Sequence, residues 1–318
     1  MGFLDTIRDI IRSFTRPTLD EGLGDPQLQR ILKDLKNYGN FQSANQTLQQ
    51  LRQGLWNERS LVCDAVAKQG TSYLYSLDAR CADEPGSPIW HLLRGITYIA
   101  SASNAREDGT SDKEQLLLAE KDLLKVIELD PEDPTPYANL LALCRRMNRS
   151  RELAEEYFEA AIKRDPQHWE AHLHMLMLKT AKWGGSHEDM FEFARSAAVR
   201  DPSLAVLLMM AHIEYWVYCF FFDNKKGGAE QYLQRTDVQK EALTAYTQFQ
   251  AAQIKKSRLA LVPLKSMAAF WFYLVKDPEH LKPLLEDLGM AITYIPWVYD
   301  GGDLELSFDK AKKLAGIG

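Results

Sequence analysis

The chain has 318 residues, of which 46% are hydrophobic and 26% are charged, a composition typical of a globular protein with a buried core. Its formal net charge of −6 argues against nucleic-acid binding, which needs a clustered surface of lysine and arginine to neutralise phosphates. Four cysteines without a C-x-x-C pair argue against a zinc ribbon and a disulfide framework, and predict reduced thiols in a cytoplasmic protein.

Residues 1–16 predict a short amphipathic helix. Its apolar residues recur at helical spacing, with acidic and basic residues between them: Phe3, Leu4, Ile7, Ile10, Ile11 and Phe14. We expect this helix to pack on the protein itself, and the alternatives are a partner's groove or a membrane surface. The weak charge of its polar face disfavours the membrane, and no secretory signal is recognisable. Residues 16–26 predict a linker.

Residues 27–87 predict helical hairpins that form an N-terminal cap. Three helices are expected at 27–37, 41–53 and 57–79, with turns at NYGN and RQG. The segment 101–112, SASNAREDGTSD, predicts a polar loop inserted into the helical pattern.

An internal repeat runs through residues 88–202. Its markers are the dipeptides Asp130-Pro131, Asp165-Pro166 and Asp201-Pro202, which follow one another after 35 and 36 residues. The positions 12, 8 and 5 residues before each proline share one helical face and are mostly small. They are Ala119, Leu123 and Val126, then Ala154, Phe158 and Ala161, then Met190, Ala194 and Ala197. Each unit therefore predicts a helix, a turn, a second helix and a stop, because the residue before proline is pushed out of the α region.

This pattern resembles the tetratricopeptide repeat (TPR). Ala154, Phe158, Ala161 and Pro166 match the second helix of that motif, and the segment from Trp90 to Tyr98 looks like its first helix, with the glycine and tyrosine slightly out of register. More broadly, the run from HWEAH to KWGGSHEDMFEFAR is similar to an uncharacterised bacterial family of TPR-like proteins, which brings no activity with it. The resemblance implies an all-α fold, an α-α superhelix with a helical N-terminal cap and an irregular C-terminal cap.

The stretch KWGGSHEDM, residues 182–190, predicts a turn between the two helices of one repeat. Gly184-Gly185 supplies the left-handed conformation that closes a helix, and Ser186 with Asp189 is a capping-box pair for the next helix. A phosphate-binding loop would need a preceding strand and a different glycine pattern.

Residues 203–318 predict a C-terminal helical region with a capping tail. Helices are expected near 203–222, 228–254, 258–275 and 278–289, and a last one over 307–315. The apolar segments 204–222 and 259–275 contain charged residues, so they predict buried helices better than membrane spans. The aromatic tail is expected to cover the last apolar face, through Tyr294, Ile295, Trp297 and Tyr299.

Two histidines, His168 and His172, lie one helical turn apart and raise the possibility of a metal site. The glutamate between them does not stand where a zincin base stands, and no third ligand is evident. No G-x-S-x-G motif or reactive cysteine context is present either. We therefore expect no catalytic residues and no cofactor, with a metal-dependent enzyme using His168 and His172 as the alternative.

The leading functional hypothesis is a non-catalytic scaffold that binds a protein partner on the concave face of its first helices. The predicted contact residues are aromatic, polar and methionine side chains on those helices: Tyr137, Asn139, Trp169, His172 and Met175. The partner would be a client, if the protein is an adaptor or chaperone, or a toxin, if it is a cytoplasmic immunity protein, since an acidic scaffold suits a basic toxin. A peripheral membrane adaptor acting through residues 1–16 is a further alternative.

Overall fold

The computed structural model describes residues 19–69, 71–107, 112–222, 227–252 and 256–317. Within these ranges the protein is all-α, with seventeen α-helices and no strand, which confirms the predicted class. The predicted helix over residues 1–16 lies outside the described residues.

The chain divides into two compact units, of which the first comprises Asp25–Leu207. Its helices are α1 (Pro26–Tyr38), α2 (Gln42–Leu51), α3 (Trp56–Ala67), α4 (Leu74–Asp83), α5 (Pro88–Glu107), α6 (Lys113–Leu129), α7 (Thr135–Arg146), α8 (Arg151–Arg164), α9 (Trp169–Leu178) and α10 (His187–Arg200). Short 3-10 turns lie at Thr71–Tyr73, Ala181–Trp183 and Pro202–Leu204.

The second unit contains residues 19–24 and 208–317 of the described chain. Its helices are α11 (Val206–Phe221, which begins two residues before the unit), α12 (Gly228–Leu233), α13 (Thr236–Ala252), α14 (Arg258–Leu274), α15 (Pro278–Leu288), α16 (Tyr294–Trp297) and α17 (Leu304–Leu314).

The stripe read from the Asp-Pro repeat is buried in all three helix pairs α5–α6, α7–α8 and α9–α10. Its nine residues, Ala119, Leu123, Val126, Ala154, Phe158, Ala161, Met190, Ala194 and Ala197, are each at most 4% exposed. Each helix from α5 to α10 packs against the next, and α7 also packs against α5 and α9. The small residues allow this close approach, because a larger side chain would hold neighbouring helices apart.

Each Asp-Pro dipeptide ends a helix as predicted. Asp130, Asp165 and Asp201 lie outside the α region, with φ of −142°, −136° and −146°. The carboxylates of Asp165 and Asp201 then accept hydrogen bonds from the backbone N–H two residues on, at 3.0 Å and 2.7 Å. The same residue thus stops one helix and shapes the turn into the next element.

The turn predicted at KWGGSHEDM is present, with one difference. Helix α9 already ends at Leu178, and a 3-10 turn precedes the glycines. Gly184 closes this turn with a left-handed φ of +84°, and the Ser186 hydroxyl accepts a hydrogen bond from Asp189 N at 3.0 Å to start α10.

Several predicted boundaries were wrong. The loop expected over 101–112 is helical as far as Glu107, since α5 continues through its alanines and serines. The helix expected over 57–79 is α3 followed by a 3-10 turn and α4, and the helix expected over 228–254 is broken between Leu233 and Thr236. The last helix begins at Leu304, three residues before the predicted start, because Asp303 caps it through a 2.9 Å hydrogen bond to Leu306 N.

One segment, Pro202–Phe221, is long and apolar enough to cross a membrane, but 78% of it is buried inside the structure. The polar residues in its middle have partners in the second unit. His212 contacts the hydroxyl of Tyr232 and lies 3.1 Å from a carboxylate oxygen of Glu241, and Glu214 accepts a hydrogen bond from the hydroxyl of Tyr299 at 2.6 Å. These contacts resemble those of a core helix, in which buried polar groups are hydrogen-bonded.

The aromatic tail is partly buried. Trp297 is fully buried, contacts the rings of Phe270 and Phe308, and donates a 2.9 Å hydrogen bond from its indole N–H to Ser266 Oγ. Tyr294, by contrast, is 54% exposed and does not share the covering role predicted for it.

The two adjacent glycines of the 182–190 turn should differ in their response to alanine. A Cβ on Gly185 would lie 2.1 Å from the backbone oxygen of Lys179, whereas a Cβ on Gly184 meets no atom within 4 Å. Gly184→Ala therefore carries only the left-handed backbone penalty of about 1–2 kcal/mol, and Gly185→Ala should destabilise more because the backbone must shift. Urea unfolding measures both, with Gly86→Ala, which meets nothing within 4 Å, as the near-neutral control. Equal losses at Gly184 and Gly185 would contradict this geometry.

Candidate functional site

The residues predicted to contact a partner are all covered in the structure. The exposed fractions are 8%, 4%, 9%, 2% and 3% for Tyr137, Asn139, Trp169, His172 and Met175. Their contacts lie within the chain: the ring of His172 meets Phe158 edge-on at 5.2 Å, Arg164 lies over the ring of Tyr137, and the amide of Asn139 donates to Thr135 O at 3.1 Å. Their role in partner binding therefore stays a prediction.

Helix α3 packs on the same helices that carry these residues. It packs against α5, α7 and α9, which are the first helices of all three pairs. Its start is anchored on the start of α9, where Asn57 Oδ1 accepts a hydrogen bond from Trp169 N at 2.9 Å and Asn57 Nδ2 donates to Gln167 O at 3.2 Å. We call the contact between α3 and these first helices the α3 interface; its polar members are Asn57, Arg59, Ser60, Asp64, Asp133, His168, Glu170 and His174.

A fully buried ion pair holds the first half of α3. Arg59 and Asp133 have no exposed side-chain surface, and Arg59 Nε donates to Asp133 Oδ2 at 2.8 Å. Arg59 Nη1 also donates to Leu48 O at 2.5 Å, and Asp133 Oδ1 accepts from Thr135 N at 2.8 Å, at the start of α7. A buried charge without its partner is strongly unfavourable, so this pair specifies where α3 lies.

The next polar contact of α3 joins Ser60 to His168. His168 Nδ1 accepts a hydrogen bond from Ala171 N at 3.3 Å, so it caps α9, and its Nε2 lies 3.2 Å from Ser60 Oγ. Burial lowers the pKa of His168 to about 3, and the ring is neutral at neutral pH. Because Nδ1 accepts a hydrogen bond, the ring proton is on Nε2, which donates a hydrogen bond to the Ser60 hydroxyl.

The two histidines considered as metal ligands are thus engaged separately. His172 Nδ1 lies 3.0 Å from His168 O and donates to it, whereas His168 uses both ring nitrogens elsewhere. In the part of the chain that the structure describes, no group of three or more His, Cys, Asp or Glu side chains is placed to hold a metal ion.

Two acids of the α3 interface have pKa values well above the ordinary range. Asp64 on α3 and Glu170 on α9 each have a pKa raised to about 7, chiefly by burial, and the charge of Glu170 raises that of Asp64 further. Lys68 opposes both shifts, and a hydrogen bond from Ser60 opposes that of Glu170. Carboxyl groups that keep a proton near neutral pH are typical of functional sites, although structural networks produce them too.

His174, one turn after Glu170, adds no positive charge to this acid pair. Burial and the nearby Arg145 lower its pKa to about 3, and its Nε2 lies 3.7 Å from Glu170 Oε1, beyond hydrogen-bond distance. Among the described residues, Glu170 Oε2, His174 Nδ1, Arg59 Nη2 and Trp169 Nε1 are buried without a hydrogen-bond partner. The α3 interface is therefore polar and largely buried, and some of its buried polar atoms lack hydrogen-bond partners.

The cysteines carry no chemistry in this arrangement. All four are free and buried, and burial raises the pKa of Cys81 and Cys144 to about 11, which keeps these thiols protonated. Cys63 on α3 is fully buried, and its pKa is raised further still.

No protein-family model matches the chain, and no curated protein is significantly similar to it.

Removing one partner of the buried ion pair should be far more costly than neutralising both. Arg59→Met leaves Asp133 charged in a dry site and should cost about 3–5 kcal/mol. The double variant Arg59→Met/Asp133→Asn should recover part of that loss, because asparagine is neutral and still accepts the hydrogen bond from Thr135 N. A double-mutant cycle by urea unfolding measures the coupling, and additive losses would contradict the pairing.

The acid pair should make the protein less stable as pH rises. Because the folded-state pKa values of Asp64 and Glu170 lie near 7, above the ordinary range near 4, the folded state holds protons that the unfolded state has released, and stability falls until both groups ionise. His168 and His174 act in the opposite sense, but only between about pH 3 and 6.5.

Asp64→Asn/Glu170→Gln should therefore gain thermal stability relative to wild type between about pH 4.5 and 8, and most clearly above about pH 6.5. Thermal unfolding at both ends of that range tests this. Glu159→Gln, which changes an exposed acid on α8, is the control and should track wild type. A pH-independent difference between the double variant and wild type would rule out the raised pKa values.

Proposed function

We propose that this chain is a non-catalytic TPR-like helical-repeat protein that binds a protein partner. The observation that carries the proposal is the buried stripe of small and apolar residues, repeated in α6, α8 and α10, which stacks three successive helix pairs. Stacked pairs of this kind form an α-α superhelix and present extended surfaces to other proteins. In this proposal α1–α4 form the helical N-terminal cap and the segment after α15 forms the irregular C-terminal cap.

The accessible contact surface is expected on the second helices, because the residues predicted for contact on the first helices are buried. Helix α6 has three exposed leucines: Leu117, Leu118 and Leu124 are 45%, 38% and 42% exposed. Leu117 and Leu124 lie two helical turns apart and share one face. Single exposed leucines are ordinary on protein surfaces, but several on one helix face favour contact with another protein.

Two biological roles fit this proposal, an adaptor or chaperone that recruits a client and a cytoplasmic immunity protein that neutralises a toxin. The net charge of −6 favours a basic partner in either role, because complementary charge accelerates association and disfavours wrong partners. The two roles differ in the identity of the partner.

An affinity-tagged chain used as bait in native lysate, with mass spectrometry of the eluate, tests the proposal. Wild type should recover a partner in stoichiometric amount, and Leu124→Glu should reduce that recovery at least about tenfold, as expected for a residue central to an interface. Ser196→Glu on α10 is the matched control, since it adds the same charge at an exposed helical position, and it should bind like wild type. Equal recovery by all three proteins, or no stoichiometric partner, would contradict the proposal.

A further inference from the structure

We propose that residues 1–16 dock as an amphipathic helix on an aromatic surface of their own chain, formed by Phe220, Phe221 and Phe222. These three residues, at the end of α11, are called the α11 tip. The inference goes beyond the proposed function, because it concerns the second unit and an occupant that the chain itself supplies.

The α11 tip exposes three consecutive phenylalanines. Phe220, Phe221 and Phe222 are 56%, 61% and 58% exposed, although most of the apolar segment that leads to them is buried. Phenylalanine is among the residue types most often found inside proteins. Single exposed apolar residues are ordinary, but adjoining ones usually mark a surface that another element contacts.

The rings of the α11 tip are supported by one another and by the preceding helical turn. Phe220 meets Phe221 edge-on, with ring centroids 4.9 Å apart, and its ring also lies 5.8 Å from that of Trp216. Phe222 stacks on Tyr218 at 5.9 Å. These contacts make the tip a preformed aromatic surface, so an occupant would not have to order it.

Other large apolar side chains are exposed in the described part of the second unit, but each on a different helix. They are Leu243 on α13, Tyr294 on α16 and Leu306 on α17. An amphipathic helix needs several adjoining apolar side chains to cover its own apolar face. The α11 tip meets that need with three neighbouring rings.

Residues 1–16 supply the complementary apolar stripe. Six apolar residues recur at helical spacing in this segment: Phe3, Leu4, Ile7, Ile10, Ile11 and Phe14. A helix this short is marginal in water and is stabilised mainly by burying such a stripe. Two acids and two arginines lie between Phe3 and Phe14, so the polar face has no excess of positive charge to bind anionic lipid.

The described chain begins on the unit that carries the α11 tip. Asp20 N donates a hydrogen bond to Met290 O at 2.9 Å, and Arg258 Nη1 donates one to Gly24 O at 2.9 Å. Residues 15–18 can extend over at most about 14 Å, and a helix over residues 3–14 is about 18 Å long. A unit of about 100 residues has a radius of gyration of about 13 Å, so the segment spans a distance comparable with the width of its own unit. Covalent attachment raises its effective concentration there, which favours its own α11 tip over that of a second copy.

Hydrogen exchange of the full chain, followed by mass spectrometry, tests the proposal. In wild type, the amides of residues 3–14 should exchange at least about tenfold more slowly than in a free peptide of residues 1–18, because docking holds the helix. Phe221→Glu should abolish this protection, since it places a charge against the apolar stripe, and Ile7→Glu/Ile11→Glu should do the same from the other side. Leu243→Glu is the matched control: it adds the same charge at an exposed apolar position of α13 and should keep the protection.

Photocrosslinking gives an independent readout of proximity. The full chain with p-benzoylphenylalanine in place of Ile7, irradiated at low concentration, should form a cross-link within one chain. Mass spectrometry should place that cross-link in the peptide that contains the α11 tip. The same chain carrying Phe221→Glu should lose it.

Exchange of residues 3–14 at the rate of the free peptide, or protection that Phe221→Glu leaves unchanged, would overturn the proposal. Cross-links between two chains would overturn it in favour of a second copy. Protection that appears only with vesicles of phosphatidylcholine and phosphatidylglycerol would overturn it in favour of a membrane surface. None of these results bears on binding through α6, which the lysate experiment addresses, so the two proposals fail separately.

Discussion

The ion pair between Arg59 and Asp133 is the interaction on which the arrangement of the first unit depends. These residues are 74 positions apart and have no exposed side-chain surface, so neither charge is tolerable without the other. Asp133 also accepts a hydrogen bond from the backbone N–H of Thr135, which joins the start of α7 to the same carboxylate. One buried charge pair thus fixes the position of α3 against the repeat helices.

The repeat depends on a different constraint, the close packing of helices through small residues, which is weaker than the ion pair but recurs regularly. Helix α8 buries one face, on which the small residues Ala154 and Ala161 let the next helix approach while Phe158 fills the space between them. This packing pattern is visible in the sequence, because an Asp-Pro dipeptide marks each helix end and the buried stripe recurs before it. The helices of 113–200 and the turn at Ser186 were therefore predictable with errors of only a few residues at the ends.

The candidate site was not predictable in the same way. Two of its contacts, Asn57 with Trp169 and Ser60 with His168, join positions more than 100 residues apart. No local sequence pattern predicts such a pairing. The five residues predicted to bind a partner were chosen for their chemical type and for their place on the first helices, but what covers those helices is a tertiary property. The available signal was the run NERS, with Asp64 after it, in a helix whose other residues are apolar, since charged side chains in a mostly buried helix need partners elsewhere in the fold.

Buried polar side chains have different surroundings in helix α11 and at the α3 interface. In the apolar helix α11, the side chains of His212 and Glu214 each contact a tyrosine hydroxyl. At the α3 interface, Arg59 Nη2, Glu170 Oε2 and His174 Nδ1 are buried without hydrogen-bond partners among the described residues. An interface kept only for stability would be more stable with apolar side chains of similar volume, because unmatched polar groups cost more than they return. Sequences that break the packing rules in one place usually do so where function requires it. The unsatisfied polar groups between α3 and α9 therefore make this interface a place in the first unit where a role beyond stability is expected.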